Sequence, residues 1–272
     1  MVRRRASRTF AVALAAIGFA AVAIPSEAAA TPRRVASLNL CTDELVLMLA
    51  APEQIVSVTH LAQQEAETPL WRQAGRYRRN DGSLLDVVPL RPDLVVTMGG
   101  GGRDRAGIAG RLGIPTVDLP FAQSLGDVVE SVRRLAIALG RPEAGTLLLR
   151  RMSVVMRSAP AAGRDAIWLG GGGRTVSAVG LEAQWMALAG MRQRMMAGDR
   201  VSLETLLVHP PAILLRSDYR AGQYSNGQRW LMHPLARHAR AQRTIATDGR
   251  LWTCMGPLLI DEIYRLRQAA RS

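Results

Sequence analysis

Two cysteines and four histidines are the side chains of this 272-residue chain best suited to bind a metal or to form a covalent link. Thiolates and imidazoles are common zinc ligands, and two cysteines can instead form a disulfide. The histidines are His60, His209, His233 and His238. His209 and His233 precede prolines, a setting typical of loops and turns. The histidines therefore do not form the cluster that a bare metal ion needs.

Motifs of common enzymes are missing from the sequence. There is no nucleophile elbow, no HExxH pair and no carboxylate pair spaced for acid–base catalysis. Two glycine-rich stretches, residues 99–102 and 170–173, could present backbone N–H groups to phosphate. Neither has the Gly-x-x-x-x-Gly-Lys spacing, and the chain contains no lysine. Close approach of the backbone to a bulky ligand is the simpler use of these glycines, and we expect a protein that is not an enzyme.

The first thirty residues have the pattern of a secretory signal peptide. Four arginines lie between positions 3 and 8, an apolar run covers residues 10–24, and three alanines end at Ala30. We predict cleavage after Ala30 and export of a soluble product, with an uncleaved N-terminal anchor as the alternative. The residues do not identify the export route.

The net charge is strongly positive, which raises the question of nucleic-acid binding. Removal of residues 1–30 would lower the formal charge from +13 to +10, because four Arg and Glu27 leave. The arginines are scattered and are not interleaved with aromatic residues. We interpret the excess mainly as codon bias and secondarily as a field that favours anionic ligands, and we predict no nucleic-acid partner.

Cys41 and Cys254 allow three interpretations. A disulfide is the default for two cysteines of an exported chain. Free thiols and thiolate ligation of a bound metal are the others. The position of Cys41 just before a predicted helix supports metal ligation, because the helix dipole stabilises a thiolate.

Strands alternate with helices along most of the chain, which predicts parallel sheets. The predicted strands cover residues 34–40, 55–59, 94–97, 113–119 and 166–169. The predicted helices cover residues 42–51, 86–90, 106–112, 181–189 and 258–270. Between residues 123 and 158 the pattern is helical only. We interpret this segment as a stiff connector, with two surface helices of one large domain as the alternative.

Two segments repeat one pattern, residues 83–96 and 202–215. Each has a Ser N-cap, a short apolar helix, a proline at the same offset and a buried strand. The repeat predicts two similar α/β lobes, and a ligand would lie in the cleft between them. We predict a signal peptide at 1–30, an N-terminal lobe at 31–122, a connecting segment at 123–160 and a C-terminal lobe at 161–272.

The mature chain resembles the substrate-binding proteins of ABC importers for iron-siderophores, haem and vitamin B12. The matching segments are residues 34–40, 90–96, 111–117, 188–191, 201–206, 249–252 and 256–259. The resemblance implies an α/β fold of two Rossmann-like lobes with mainly parallel sheets, joined by a long connecting α-helix. It also implies a periplasmic monomer without a cofactor, which captures a metal chelate by lobe closure and delivers it to a permease in the inner membrane.

In the family that this chain resembles, the ligand contacts loops at the carboxyl ends of the strands. Aromatic residues there could stack on a flat chelate, and arginines could pair with carboxylates. The expected ligand-binding residues are Asn39, Cys41, His60, Trp71, Gly100, Arg103, Arg105, Arg174, Tyr219, Arg220, Tyr224, Trp252 and Cys254. A ferric siderophore or a corrinoid is favoured over haem, for which Tyr224 or His60 would be the axial ligand.

The same resemblance suggests roles for two acidic residues. Asp86 and Glu204 lie near the starts of the repeated helices, and in the family one acidic residue per lobe contacts an arginine of the permease. Helix capping is the alternative role. The alternative function for the whole chain is a periplasmic metal-chelatase-like enzyme, or a metal or haem chaperone.

Overall fold

The computed structural model describes residues 31–99, 102–220, 222–223, 225–237 and 241–271, and the side chains of residues 102–106 are outside this description. The predicted signal peptide, Gly100, Tyr224 and His238 therefore lie outside the described residues. The same holds for the side chains of Arg103 and Arg105.

The N-lobe is built on a parallel sheet with the strand order β3-β2-β1-β4-β5. Its strands are β1 (Val35–Ser37), β2 (Ile55–Thr59), β3 (Arg78–Asn80), β4 (Leu94–Met98) and β5 (Thr116–Leu119). Its helices are α1 (Leu40–Leu49), α2 (Trp71–Ala74), α3 (Leu84–Val87) and α4 (Gly102–Arg111), with 3₁₀ turns at Pro52–Gln54 and Val88–Leu90. The central strands are apolar and buried on both faces, as expected for a parallel sheet.

The C-lobe repeats this design with the strand order β7-β6-β8-β9, again parallel. Its strands are β6 (Arg164–Leu169), β7 (Met191–Gln193), β8 (Ile213–Ser217) and β9 (Arg243–Thr247). Between the lobes lie α5 (Leu125–Ala138) and α6 (Pro142–Arg157). The other helices are α7 (Leu181–Leu188), α8 (Leu203–Val208), α9 (Asn226–Leu231), α10 (Pro234–Arg237), α11 (Leu251–Cys254) and α12 (Leu259–Arg271), with a 3₁₀ turn at Gly171–Gly173. The α/β fold class with two parallel sheets is confirmed.

The repeated sequence pattern occupies equivalent places in the two sheets. Ser83 and Ser202 are N-caps whose hydroxyls accept the backbone N–H of Asp86 and Thr205, at 3.3 and 3.0 Å. The following strands, β4 and β8, each pair with the first strand of their lobe on one side and with the last strand on the other. The same local pattern therefore produces the same element in the same position of both lobes.

The connecting segment is divided into two helices, where the family resemblance implies one long helix. Gly140 adopts a left-handed conformation with φ of 65°, and Pro142 begins α6. A glycine just after a helix and a proline at the first position of the next are the usual signals for such a break. Helices α5 and α6 pack against each other, so the connector is a helical pair.

One hydrophobic core runs through the two lobes and the connecting helices. It includes Val35 and Leu49 of the N-lobe, Leu135 of α5, and Trp185 and Leu215 of the C-lobe. Because the interface between the lobes is apolar and packed, separating them would expose buried surface to water. None of the helices within the residues that the structure describes is long and apolar enough to cross a membrane.

Arg267 of α12 ties the C-lobe to the connecting helices. Its guanidinium donates to the carbonyl oxygens of Leu188 and Val155, both at 2.6 Å, and to the Ser158 hydroxyl at 2.8 Å. The side chain is 7 % exposed. These carbonyls end α7 and lie in the last turn of α6, where a positive charge is favourable.

Replacing Arg267 with leucine should lower the free energy of unfolding by roughly 3 kcal/mol, because two buried carbonyls lose a charged donor. Denaturation in urea, followed by circular dichroism, measures the effect. Arg271→Leu, at an exposed position of the same helix, is the matched control. Equal losses in the two variants would contradict the assigned role of Arg267.

Candidate ligand-binding site

A groove lies at the carboxyl ends of β6, β8 and β9, with a volume of about 600 Å³. We call it the C-lobe groove. Its main lining residues are Trp168, Arg174, Tyr219, Arg220 and Trp252. Loops leave a parallel sheet in opposite directions where the strand order reverses, which opens a crevice there. In this sheet the reversal falls between β6 and β8, so the position of the groove follows from the topology.

Two tryptophans form the floor of the C-lobe groove. The rings of Trp168 and Trp252 have centroids 6.3 Å apart and are tilted by 58°. Trp252 donates its indole N–H to the Thr247 hydroxyl at 2.8 Å, which fixes the ring. The buried indole nitrogen of Trp168 has no hydrogen-bond partner among the residues that the structure describes. The pair offers a rigid apolar surface on which a flat ligand can stack.

Glu67, a residue of the N-lobe, contacts two residues that line the C-lobe groove. Its carboxylate accepts the Tyr219 hydroxyl at 2.7 Å and the Arg220 guanidinium at 2.5 Å. We call these three residues the interlobe clamp. Burial, followed by the hydrogen bond to Glu67, raises the pKa of the Tyr219 phenol. The hydrogen bond to Glu67 likewise raises the pKa of Arg220, so both donors hold their protons.

Gly249 fits the loop after β9 tightly against the loop after β8. A side chain at this position would collide with the Ser217 hydroxyl and with the backbone of Tyr219. The Gly249 N–H donates to the Asp218 carboxylate at 2.8 Å. Arg220 itself has a left-handed backbone with φ of 54°, which non-glycine residues adopt only when their surroundings hold them. The backbone at Tyr219 and Arg220 is therefore firmly positioned.

Cys41 and Cys254 form a disulfide, with Cα atoms 5.2 Å apart. Cys41 lies in the first turn of α1 and Cys254 ends α11, so the bond joins the two lobes at the base of the cleft. Of the three interpretations of these cysteines, the structure therefore supports the disulfide. In this state neither sulfur is a thiolate ligand. The bond lines a small cavity of about 30 Å³ rather than the C-lobe groove.

Two acidic residues of α1, Asp43 and Glu44, are buried beside this disulfide. Burial raises the pKa of Asp43 to about 7, against hydrogen bonds from Thr59 and Ser37. Burial raises the pKa of Glu44 to about 8, and repulsion from Asp43 and Asp248 adds to the effect. Within the described part of the chain, Oε1 of Glu44 has no hydrogen-bond partner, and neither has the hydroxyl of Ser131. Both residues line the small cavity, which has room for about one bridging water.

Asn39, His60 and Trp71, three of the expected ligand-binding residues of the N-lobe, are not among the described residues that line the C-lobe groove. Asn39 caps α1 by accepting the Cys41 N–H at 2.9 Å. His60 is exposed and lines a separate groove with Asn80 and Asp86. Trp71 begins α2, where the Arg72 guanidinium stacks on its ring at 4.4 Å. Of the expected set, the structure brings together Arg174, Tyr219, Arg220 and Trp252.

Two residues of the site were not expected from the sequence, Glu67 and Trp168. Trp168 lies inside a predicted strand. The alternation of apolar and polar residues along a strand does not show which of its residues line a groove. Glu67 belongs to a predicted ligand loop. The sequence did offer one signal for Glu67: it is an acidic residue in that loop, in a chain with a large excess of basic residues. Among the residues that the structure describes, no three His, Cys, Asp or Glu side chains converge to hold a metal ion.

No protein-family model matches the chain, and no curated protein matches it. Solved structures do share its fold. The siderophore-binding protein BauB, bound to ferric iron and two acinetobactin molecules, is 14 % identical with a TM-score of 0.68, covering 88 % of this chain and 93 % of its own. The periplasmic haem-binding protein RhuT from Roseiflexus sp. RS-1 is 21 % identical with a TM-score of 0.65 and coverages of 88 % and 99 %.

The periplasmic vitamin B12-binding protein BtuF of Vibrio cholerae is also similar, with 16 % identity, a TM-score of 0.63 and coverages of 89 % and 97 %. These similarities extend over nearly the whole described chain and over nearly all of each neighbour. The chain therefore has the fold of two-lobed periplasmic binding proteins. This is also the fold implied by the resemblance of the sequence to the substrate-binding proteins of ABC importers.

Glu44 should make stability depend on pH. Its folded-state pKa lies above its ordinary value, so the native state retains a proton that the unfolded state loses between about pH 4.5 and pH 8. Stability should therefore fall as pH rises through this window. Glu44→Gln, which does not titrate, should be more stable than the parent at pH 9 by roughly 4 kcal/mol, relative to their difference at pH 5.

Urea denaturation at several pH values between 5 and 9 measures this difference. Glu53→Gln replaces an exposed acid of the same lobe and serves as the control. The same slope of unfolding free energy against pH in the parent and in Glu44→Gln would contradict the assignment.

Proposed function

We propose that the chain is a periplasmic substrate-binding protein that captures a metal chelate between its lobes and delivers it to an ABC importer permease. A ferric siderophore or a corrinoid is the favoured ligand, and haem is less favoured. The observation that carries the proposal is the C-lobe groove, with its tryptophan floor and its arginines, facing the N-lobe across the cleft. The solved binding proteins of this fold carry ligands of these three kinds.

The size and lining of the C-lobe groove support a chelate over a small ion. Pockets of 300–1,000 Å³ hold ligands with many atoms, and this groove has a volume of about 600 Å³. Its tryptophans offer stacking area, while Arg174 and Arg220 offer positive charge at the rim, with side chains 63 % and 42 % exposed. A large, partly flat and partly anionic molecule uses all of these features.

Asp86 and Glu204 are proposed as the permease contacts. Glu204 is exposed in the first turn of α8, and Asp86 is partly exposed in α3, where it accepts the Asp81 N–H at 3.0 Å. Each acid lies close in sequence to an apolar residue that is open to solvent, Leu85 at 78 % and Val208 at 58 %. An acid beside an exposed apolar side chain, once in each lobe, suits a protein-docking surface better than capping alone.

Binding of a chelate tests the proposed function. Purified protein should carry an absorbing ligand or should bind cyanocobalamin, haemin or a ferric siderophore at 1:1, with quenching of tryptophan fluorescence from the groove. Arg174→Ala should weaken binding of an anionic chelate about tenfold, whereas Arg150→Ala, at an exposed position of α6, should not. Failure of all three ligand classes to bind would contradict the proposal.

Charge reversal tests the docking residues. The double variant Asp86→Lys and Glu204→Lys should reduce chelate uptake by cells at least tenfold, because each new lysine repels an arginine of the permease. Its affinity for the chelate should not change. Glu53→Lys with Glu143→Lys, which reverses one exposed acid in the N-lobe and one in α6, is the control. Normal uptake with the first pair would exclude the docking role.

A further inference from the structure

Glu67 is a buried carboxylate whose partners belong to the opposite lobe. It is 5 % exposed, and it lies in the loop between β2 and α2. Burying a carboxylate is costly unless strong donors compensate. Here the donors are the hydroxyl of Tyr219 and the guanidinium of Arg220, one for each carboxylate oxygen.

Those two donors also line the C-lobe groove. A phenol O–H and a guanidinium at this spacing form a binding site for a carboxylate. The Arg220 side chain also stacks over the ring of Tyr219, at 5.0 Å from its centroid, which holds the two donors together. The wall of the groove therefore carries two donors suited to a carboxylate, and the Glu67 side chain of the same protein is bound to both.

We propose that Glu67 is an internal competitor for the ligand. A carboxylate of the bound chelate takes the place of the Glu67 carboxylate on Tyr219 and Arg220, so that the groove selects chelates with free carboxylates. This inference rests on the proposed function and narrows its ligand class. Exchange of one carboxylate for another keeps both donors paired, so displacement leaves no buried donor without a partner.

The disulfide restricts the exchange of carboxylates to the side of the cleft that lies away from Cys41 and Cys254. Cys41 and Cys254 hold the lobes together at the base, whereas the clamp holds the loop containing Glu67 against the loop containing Tyr219. A second contact, from the Arg250 guanidinium to the carbonyl oxygen of Glu65 at 2.9 Å, joins the same N-lobe loop to the C-lobe. Release of Glu67 therefore leaves the lobes joined by the disulfide and by this second contact.

Matched pairs of probes test this inference. Haemin carries two carboxylates and its dimethyl ester carries none. A cobalamin monocarboxylic acid carries one, and cyanocobalamin carries none. Ferric dicitrate and ferrichrome represent siderophores with and without carboxylates. In the pair that binds, the carboxylate member should bind the parent protein more tightly.

Glu67→Gln keeps the shape of the side chain and removes its charge. This variant should bind the carboxylate member of the pair about tenfold more tightly than the parent does, because the competing charge is gone. The neutral member should change less than twofold. Arg220→Gln should weaken only the carboxylate member. Glu65→Gln, an exposed acid two residues away in the same loop, should change neither affinity.

Tighter binding cannot arise from a misfolded variant, so the result does not depend on unchanged stability. Equal gains in affinity for both members of a pair would show that Glu67 hinders binding by its size alone, and would overturn the inference. No gain, or weaker binding of the carboxylate member, would overturn it as well. If none of the six probes binds the parent, the proposed function itself fails, and the inference fails with it.

Discussion

The disulfide between Cys41 and Cys254 is the constraint on which the arrangement of the two lobes depends. It closes a loop of 213 residues, which on chain-entropy grounds stabilises the fold by about 5 kcal/mol. It also joins the first helix of one sheet to the loop region that follows the last strand of the other. Since the hydrophobic core is continuous through α5 and α6, the lobes are held both by covalent bonding and by packing.

This constraint changes the expected mechanism of capture. Lobe closure about a stiff connector requires the lobes to separate, and a bond at the base of the cleft opposes that separation. Among the described residues, Glu67 and Glu65 make noncovalent contacts with loops of the C-lobe. Loop movement there costs a few hydrogen bonds, whereas separation of the lobes would cost the disulfide or the core. Under the proposed function, a protein built in this way would admit its ligand through a small local opening.

Local sequence patterns predicted the central elements well. The strand Ile55–Thr59 was predicted with the bounds it has, and the two Ser caps and their strands β4 and β8 were predicted in both lobes. The edge strands β3, β7 and β9 were not predicted. They have three to five residues and include exposed positions, so their extended conformation depends on pairing with a neighbouring strand rather than on their own composition. The family resemblance implied one long connecting helix, whereas Gly140 and Pro142 divide the segment into two helices.

The sequence by itself determined the α/β class and the repeated lobes. Those features depend on periodicity, capping and turn residues, which act over a few positions. Only the tertiary structure decided that Cys41 meets Cys254 and that Glu67 rather than a ligand pairs with Tyr219 and Arg220. Such pairings join residues 152 or more positions apart. They depend on how two sheets are set against each other, which no local pattern encodes.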